Sequence, residues 1–160
     1  MEIDDLDRRI LQAMSLDAEI TNKELAGRLG LAESTCAYRV RTLKSRGVIR
    51  RSRVDIDFAS LGWPMQAIVK VRLSSHDQRD IDAIFTSLQS AAGVLRVFHL
   101  AGTEDLLVHI AVADAMALRD LVHQRISAHK AVRQTETQLV IEVREGTLFV
   151  PPAVEGAGAV

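Results

Sequence analysis

The sequence predicts an α+β chain of two units. The first is an N-terminal winged helix-turn-helix, the second a C-terminal ferredoxin-like sheet domain in the order β-α-β-β-α-β. Three observations carry that reading. Residues 21–53 set two short helical patterns either side of a glycine and end in a cluster of arginines. Gly62 and Pro64 then interrupt the chain. Beyond them apolar residues alternate with period two, broken twice by stretches of helical period.

Leu6, Ile10 and Met14 fall at helical spacing, with Asp4, Asp5 and Asp7 where a helix dipole favours acids, so the first helix is placed at about 5–15. Thr21 followed by Glu24 is a capping-box pattern that starts the second helix, and Leu25 and Leu29 give it an apolar stripe. Gly30 ends it, and Leu31 turns into the core. The third helix runs to about Arg46, with Cys36, Val40 and Leu43 inward and Gly47 closing it. Two short helices joined by so tight a turn have helix-turn-helix geometry. The outer face of the third helix then holds Ser34, Thr35, Tyr38, Arg39, Arg41, Thr42 and Lys44, side chains that bond phosphate oxygens and base edges. Val48 to Arg51 reads as a short extended wing, with Arg50 and Arg51 able to reach flanking backbone. The alternative is an ordinary solvated amphipathic helix. Charge decides between them: residues 28–53 carry eight basic side chains against the single acid Glu33, in a chain of net charge −1. Double-stranded DNA is therefore the expected partner.

Residues 1–57 form this head, and 58–64 read as a linker. After it, Ala67, Val69, Val71 and Leu73 alternate with Gln66, Lys70 and Arg72 as a strand. Ile81, Ile84, Phe85 and Leu88 mark a helix. Residues 94–100 and 106–112 are strands joined by the turn Gly102 to Asp105. Leu118, Leu121, Val122 and Ile126 mark a second helix, and Thr135 to Val143 the last strand. This ferredoxin-like order spans 65–150 with its margins. Both helices pack on one sheet face, so the open face is expected to carry self-association. The Gly/Pro-rich segment 151–160 reads as a flexible tail.

Composition narrows the function classes. No apolar run has membrane-spanning length, and the charged opening MEIDDLDRR is unlike a signal peptide, so a cytoplasmic protein with no membrane partner is expected. A lone cysteine, Cys36, excludes an internal disulfide and a Cys-rich zinc site. It reads as a small buried hydrophobe, with a redox sensor as the alternative. No Ser/His/Asp set, phosphate loop or paired-carboxylate site is apparent. His76, His99, His109, His123 and His129 show no metal-ligand spacing, so no catalytic residue, metal or cofactor is expected.

Taken together, IDDLDRRILQAMSLDAEITNKELAGRLGLAESTCAYRVRTLKSRGVIR, LAGTEDLLVHIAV and TETQLV resemble the Lrp/AsnC (leucine-responsive, feast/famine) transcriptional regulators in order and spacing, over about residues 3–146. The resemblance implies a cytoplasmic homodimer, assembled into octamers or other rings of dimers, with sheet (RAM) domains as the dimer core. It implies an amino-acid effector bound between regulatory domains of neighbouring dimers. By match, the effector loop is Leu100, Ala101, Gly102, Thr103, Glu104 and Asp105, faced by Thr135 and Thr137. A carboxylate suits an α-ammonium group, and hydroxyls with backbone N–H groups suit an α-carboxylate. Read without the resemblance, the same stretch is a plain hairpin, with Gly102 at positive φ and Asp105 bonding the turn. The family commonly opens its recognition helix with Ser-Pro, where this chain has Ala32-Glu33. Alanine is a poor N-cap, worse than serine by about 0.5–2 kcal/mol, which makes Ser34 an alternative helix start. Two rivals share the architecture. One is a sirohaem decarboxylase-like enzyme, for which His99 and His109 on the hairpin strands are the best case. The other is a DNA-architectural protein without effector control.

Overall fold

The computed structural model describes residues 3–74, 77–144 and 146. The chain divides into two compact units, with boundaries between Asp55 and Ile56 and between Val143 and Arg144. His76 and the expected tail, 151–160, lie outside the described residues.

The head holds α1 (Asp5–Leu16), α2 (Asn22–Leu29) and α3 (Glu33–Ser45). Asp4 caps α1, accepting from the Asp7 N–H, and Thr21 and Glu24 form the full capping box of α2. Gly30 and Gly47 end α2 and α3 in the left-handed region, at φ 68° and 72°. The N–H after each glycine reaches back across the turn, Leu31 to Ala26 O at 2.9 Å and Val48 to Leu43 O at 3.0 Å. These are Schellman closures, and a side chain at either glycine would strain them. The core is Ile10, Ile20, Leu25, Ala26, Cys36, Val40 and Leu43, with Leu31, Val48 and Ile49 packed at its margin.

One expectation for the head is corrected. Helix α3 starts at Glu33 and does not slip to Ser34; Ala32 occupies the cap with no side-chain hydrogen bond, and Cys36 N–H bonds Ala32 O. The wing segment, residues 48–57, is built without a ladder of strand hydrogen bonds. The closure at Gly47 turns Val48 and Ile49 back onto the core, leaving only Arg50 onward to run exposed.

The second unit opens with a closed turn. Asp57 accepts from the Ala59 N–H and the Ser60 hydroxyl, and Trp63 N–H bonds Phe58 O at 2.8 Å. Then come β1 (Met65–Leu73), α4 (Gln78–Gln89), β2 (Val94–His99), β3 (Leu106–Val112), α5 (Ala115–Leu121), its π-helical continuation Val122–Ser127, and β4 (Val132–Val140). The sheet order is β2-β3-β1-β4, with every pairing antiparallel, as the βαββαβ order requires. Ala67, Val69, Val71 and Leu73 share one face with Leu106, Val108, Ile110 and Val112. Ile81, Ile84 and Leu88 of α4, Leu118 of α5 and Ile126 complete that core.

The second helix and the last strand differ from expectation. The 118/122/126 spacing reads as α-helix throughout, but the last turn widens, with Ala128 N–H bonding His123 O five residues back. Strand β4 lies three residues earlier than Thr135–Val143. Its start is set by the turn in which Val132 N–H bonds His129 O, and its end by β1, which offers no partner beyond Gln66 opposite Val140. The open face is also less apolar than alternation suggests. Ile68, Leu107 and Phe98 lie among Gln66, Lys70, Arg72, Arg96, His109, Glu136 and Gln138.

Among the described glycines, Gly93 is the most tightly packed. At φ 89°, a Cβ there would lie 2.9 Å from Ala111 O and 2.9 Å from Leu121 Cδ1. Gly93→Ala is expected to destabilise by about 1–3 kcal/mol, since a backbone oxygen cannot move aside cheaply. Thermal denaturation of the variant checks this.

Candidate DNA-binding face and effector loop

The outer surface of α3 presents Ser34, Thr35, Tyr38, Arg41 and Lys44 as exposed side chains, and Tyr38 is 60% exposed despite its ring. Thr42 is half-buried, its hydroxyl donating to Tyr38 O at 3.0 Å. Arg50 and Arg51 are exposed and border a recess whose floor is Leu11, Met14, Val48 and Ile49. Arg39 departs from its expected place. Its Nη1 donates to Asp4 Oδ2 at 2.6 Å and to Asp7 Oδ1 at 2.9 Å, both at the start of α1. Asp7 is 1% exposed and Arg39 only 22%. The guanidinium is thus drawn beneath the helix by two acids, which helical spacing alone could not reveal. The LDRR segment holds the only sequence signal, an Asp on the buried face of α1 that needs a cation. Cys36 is buried, and burial followed by the charge of Glu33 pushes its thiol up, which makes it an inert core residue.

At the hairpin, Leu100 N–H bonds Asp105 O, and Asp105 N–H bonds Val71 O. The Asp105 carboxylate accepts from the Leu73 N–H at 2.7 Å, so it ties the loop to the end of β1. Glu104 holds Arg72 through two hydrogen bonds of 2.9 and 3.2 Å, which occupies its carboxylate on the open face. Gly102 does not adopt positive φ, contrary to the plain-hairpin reading, and a Cβ there would meet nothing within 4 Å. Leu100 is half-buried; Ala101, Gly102 and Thr103 are exposed.

Thr135 and Thr137 lie elsewhere. They stand opposite Val71 and Val69, on the helix-covered side of the sheet. Thr135 Oγ1 is 3.2 Å from Ser127 Oγ, and Thr137 lines a recess of about 360 Å³ with Ala115, Leu118, Arg119, Val122, His123 and Ser127. Since Val71 faces Leu106 on one side and Thr135 on the other, the hairpin end and Thr135 are two strand spacings apart, about 10 Å. Within one protomer they do not form one grip.

His99 and His109 do not converge either. His99 stands opposite Leu106 and meets the Phe85 ring edge-on at 6.0 Å, on the helix side. His109 points to the open face, with Nε2 2.9 Å from Gln66 Oε1, and burial and then Arg96 lower its pKa. The pair on which a tetrapyrrole-handling site would rest is split across the sheet. Among the described residues no cluster of His, Cys, Asp or Glu could hold a metal ion, and no helix is long and apolar enough to cross a membrane.

Residues 3–50 match the winged helix-turn-helix DNA-binding family, and residues 66–147 match the Lrp/AsnC ligand binding domain. The chain is 39% identical to the HTH-type transcriptional regulator AldR of Mycolicibacterium smegmatis, over 91% of this chain and 85% of that protein. It is similar to a feast or famine regulatory protein of M. tuberculosis solved with L-methionine, at 30% identity, TM-score 0.84, and coverage of 94% of this chain and 100% of that one. A Neisseria meningitidis transcriptional regulator, also solved with L-methionine, aligns at 25% identity and TM-score 0.85, covering 94% and 97%.

The acids at the start of α1 give a pH prediction. The Asp7 N–H first, and Arg39 next, hold the Asp4 carboxyl below its usual range. A lowered folded pKa contributes stability that is present above the unfolded value, about 3.9, and lost as pH falls through the folded one. Asp4→Asn keeps a capping oxygen without the charge. It is expected to melt below the wild type at neutral pH, with the deficit shrinking as pH drops below about 4. Melting curves recorded by circular dichroism across that range check it.

Proposed function

The chain belongs to the Lrp/AsnC family of transcriptional regulators, and on that premise we propose how its two units act. The head binds double-stranded DNA with the exposed face of α3 in the major groove. Ser34, Thr35, Tyr38, Arg41, Thr42 and Lys44 contact the duplex, and Arg50 and Arg51 hold flanking phosphates. The observation that carries this is the exposed basic and hydroxyl-bearing surface of α3, on a chain whose net charge is −1. The protein is no enzyme and acts as a homodimer or larger assembly joined through the sheet domain, whose open face carries Ile68, Leu107 and the 45% exposed Phe98.

The effector is a free amino acid. Two similar regulators were solved with L-methionine, and the hairpin Leu100–Asp105 offers a carboxylate and backbone groups to a zwitterion. Thr135 and Thr137 are supplied to the same ligand by a second copy, because in one protomer β1 separates them from the hairpin. Glu104 acts by holding Arg72 and not as a direct ligand.

Arg41→Ala and Tyr38→Ala are expected to weaken binding to a duplex selected by the wild type from a random-sequence pool, each by about 1–3 kcal/mol, with melting unchanged. Arg50→Ala and Arg51→Ala should weaken all duplexes alike and flatten the salt dependence by about one unit of slope each. Gel shifts in which all four variants match the wild type would remove α3 as the recognition helix. For the effector, Asp105→Asn keeps an oxygen for the Leu73 N–H and loses the charge. It should melt near the wild type and bind L-methionine, or whichever amino acid raises the melting temperature most, at least tenfold more weakly. Undiminished affinity by calorimetry would sink the assignment of the loop.

A further inference from the structure

We infer that Arg39 is the positioning residue of the recognition helix: it fixes α3 on α1 and so aims Tyr38 and Arg41, and it does not itself read DNA. This rests on the reading of α3 as the DNA-facing helix. One nitrogen of Arg39 joins two carboxylates. Asp4 uses Oδ1 to cap α1, accepting the Asp7 N–H at 2.8 Å, and Oδ2 to accept Arg39 Nη1 at 2.6 Å. Asp7 Oδ1 accepts from the same Nη1 at 2.9 Å. Arg39 therefore clamps the first turn of α1, including its cap, to the middle of α3.

Burial makes the clamp obligatory. Asp7 is 1% exposed, and its second oxygen, Oδ2, is buried with no hydrogen-bond partner among the described residues. Arg39 is the cation that compensates this carboxylate, and a buried charge stripped of its partner is strongly destabilising. The same pairing removes Arg39 from the electrostatics of the DNA face, since its charge is met by two carboxylates. Its neighbours two residues along and one residue back, Arg41 and Tyr38, stay exposed. The rotation of α3 about its axis decides where those two point, and the inner stripe Cys36, Val40 and Leu43 makes only apolar contacts, which carry no direction of their own. A directional charge-assisted bond at position 39 removes that freedom.

The test pairs Arg39→Met with Asp7→Leu, a double change that leaves net charge as in the wild type and replaces a buried ion pair by apolar volume, which proteins often tolerate. Melting temperature is read together with Kd on the selected duplex and on a random-sequence duplex of equal length. Arg39→Met alone should melt lower by roughly 10 °C or more and weaken the selected duplex more than the random-sequence one, because Tyr38 and Arg41 lose their aim. The double variant should recover most of the melting temperature and return both Kd values to within about threefold of the wild type. Arg39→Lys, which keeps one cation against the acids, should retain both properties and guards against a double variant that fails to fold.

A double variant, or Arg39→Lys, that melts normally yet binds only the selected duplex tenfold or more weakly would overturn the inference, because a lost base contact cannot be restored by removing Asp7. Arg39→Met melting like the wild type would overturn it too. If Tyr38→Ala and Arg41→Ala leave the selected duplex unaffected, the recognition-face reading itself fails, while the melting data still report the clamp.

Discussion

Strand β1 governs the geometry of the C-terminal unit. It is bonded to β3 on one side and β4 on the other, and its alternation decides which face every neighbouring side chain takes. Ala67, Val69, Val71 and Leu73 go to the helices, and their partners follow them into the core. Gln66, Ile68, Lys70 and Arg72 go to the open side and take His109, Leu107, Glu136 and Gln138 with them. A slip of one residue would exchange the two sets and put Lys70 and Arg72 beneath the helices, at a cost no packing could offset. The end of β1 is held by Asp105, which accepts the Leu73 N–H. The loop assigned to the effector is thus fastened to the strand that sets the sheet's register.

The head relies on a different constraint, the closing of short helices. An eight-residue helix such as α2 is too short to persist alone. Here it is capped at both ends, by the Thr21–Glu24 box and by the Gly30 closure. Helix α3 lacks a side-chain cap at Ala32 and compensates with tertiary anchoring, through Cys36, Val40 and Leu43 on its inner face and Arg39 at its flank. The departure from Ser-Pro at its start therefore leaves the helix boundary unmoved.

What the sequence disclosed and what it concealed divide along physical lines. Period and punctuation are local, so the three head helices, the capping box, the Gly30 and Gly47 ends and the βαββαβ order were all legible from it. Pairing partners are not local. The limits of β4 depend on where β1 starts, and the fate of Arg39 depends on two acids more than thirty residues away. An arginine on the flank of an amphipathic helix looks the same in sequence whether it meets solvent, phosphate or a buried carboxylate. Glu104 is a similar case: the family match placed it in the effector loop, and only the folded chain sets Arg72 against it. The π-helical turn at Val122–Ser127 left no trace, because Leu118, Val122 and Ile126 also fit an ordinary helix.

The division of the expected effector residues follows from the same register. The hairpin end and Thr135 stand two strand spacings apart, about 10 Å, with β1 between them. Glu104 reaches Arg72 on the open side, whereas Thr135 meets Ser127 on the helix side. In the proposed function a zwitterion is therefore held by the hairpin of one protomer and the threonines of another. In the proposed arrangement ligand occupancy and assembly are then one equilibrium: the amino acid stabilises the contact that creates its site, and by linkage any DNA geometry that favours that contact tightens the amino acid by the same factor.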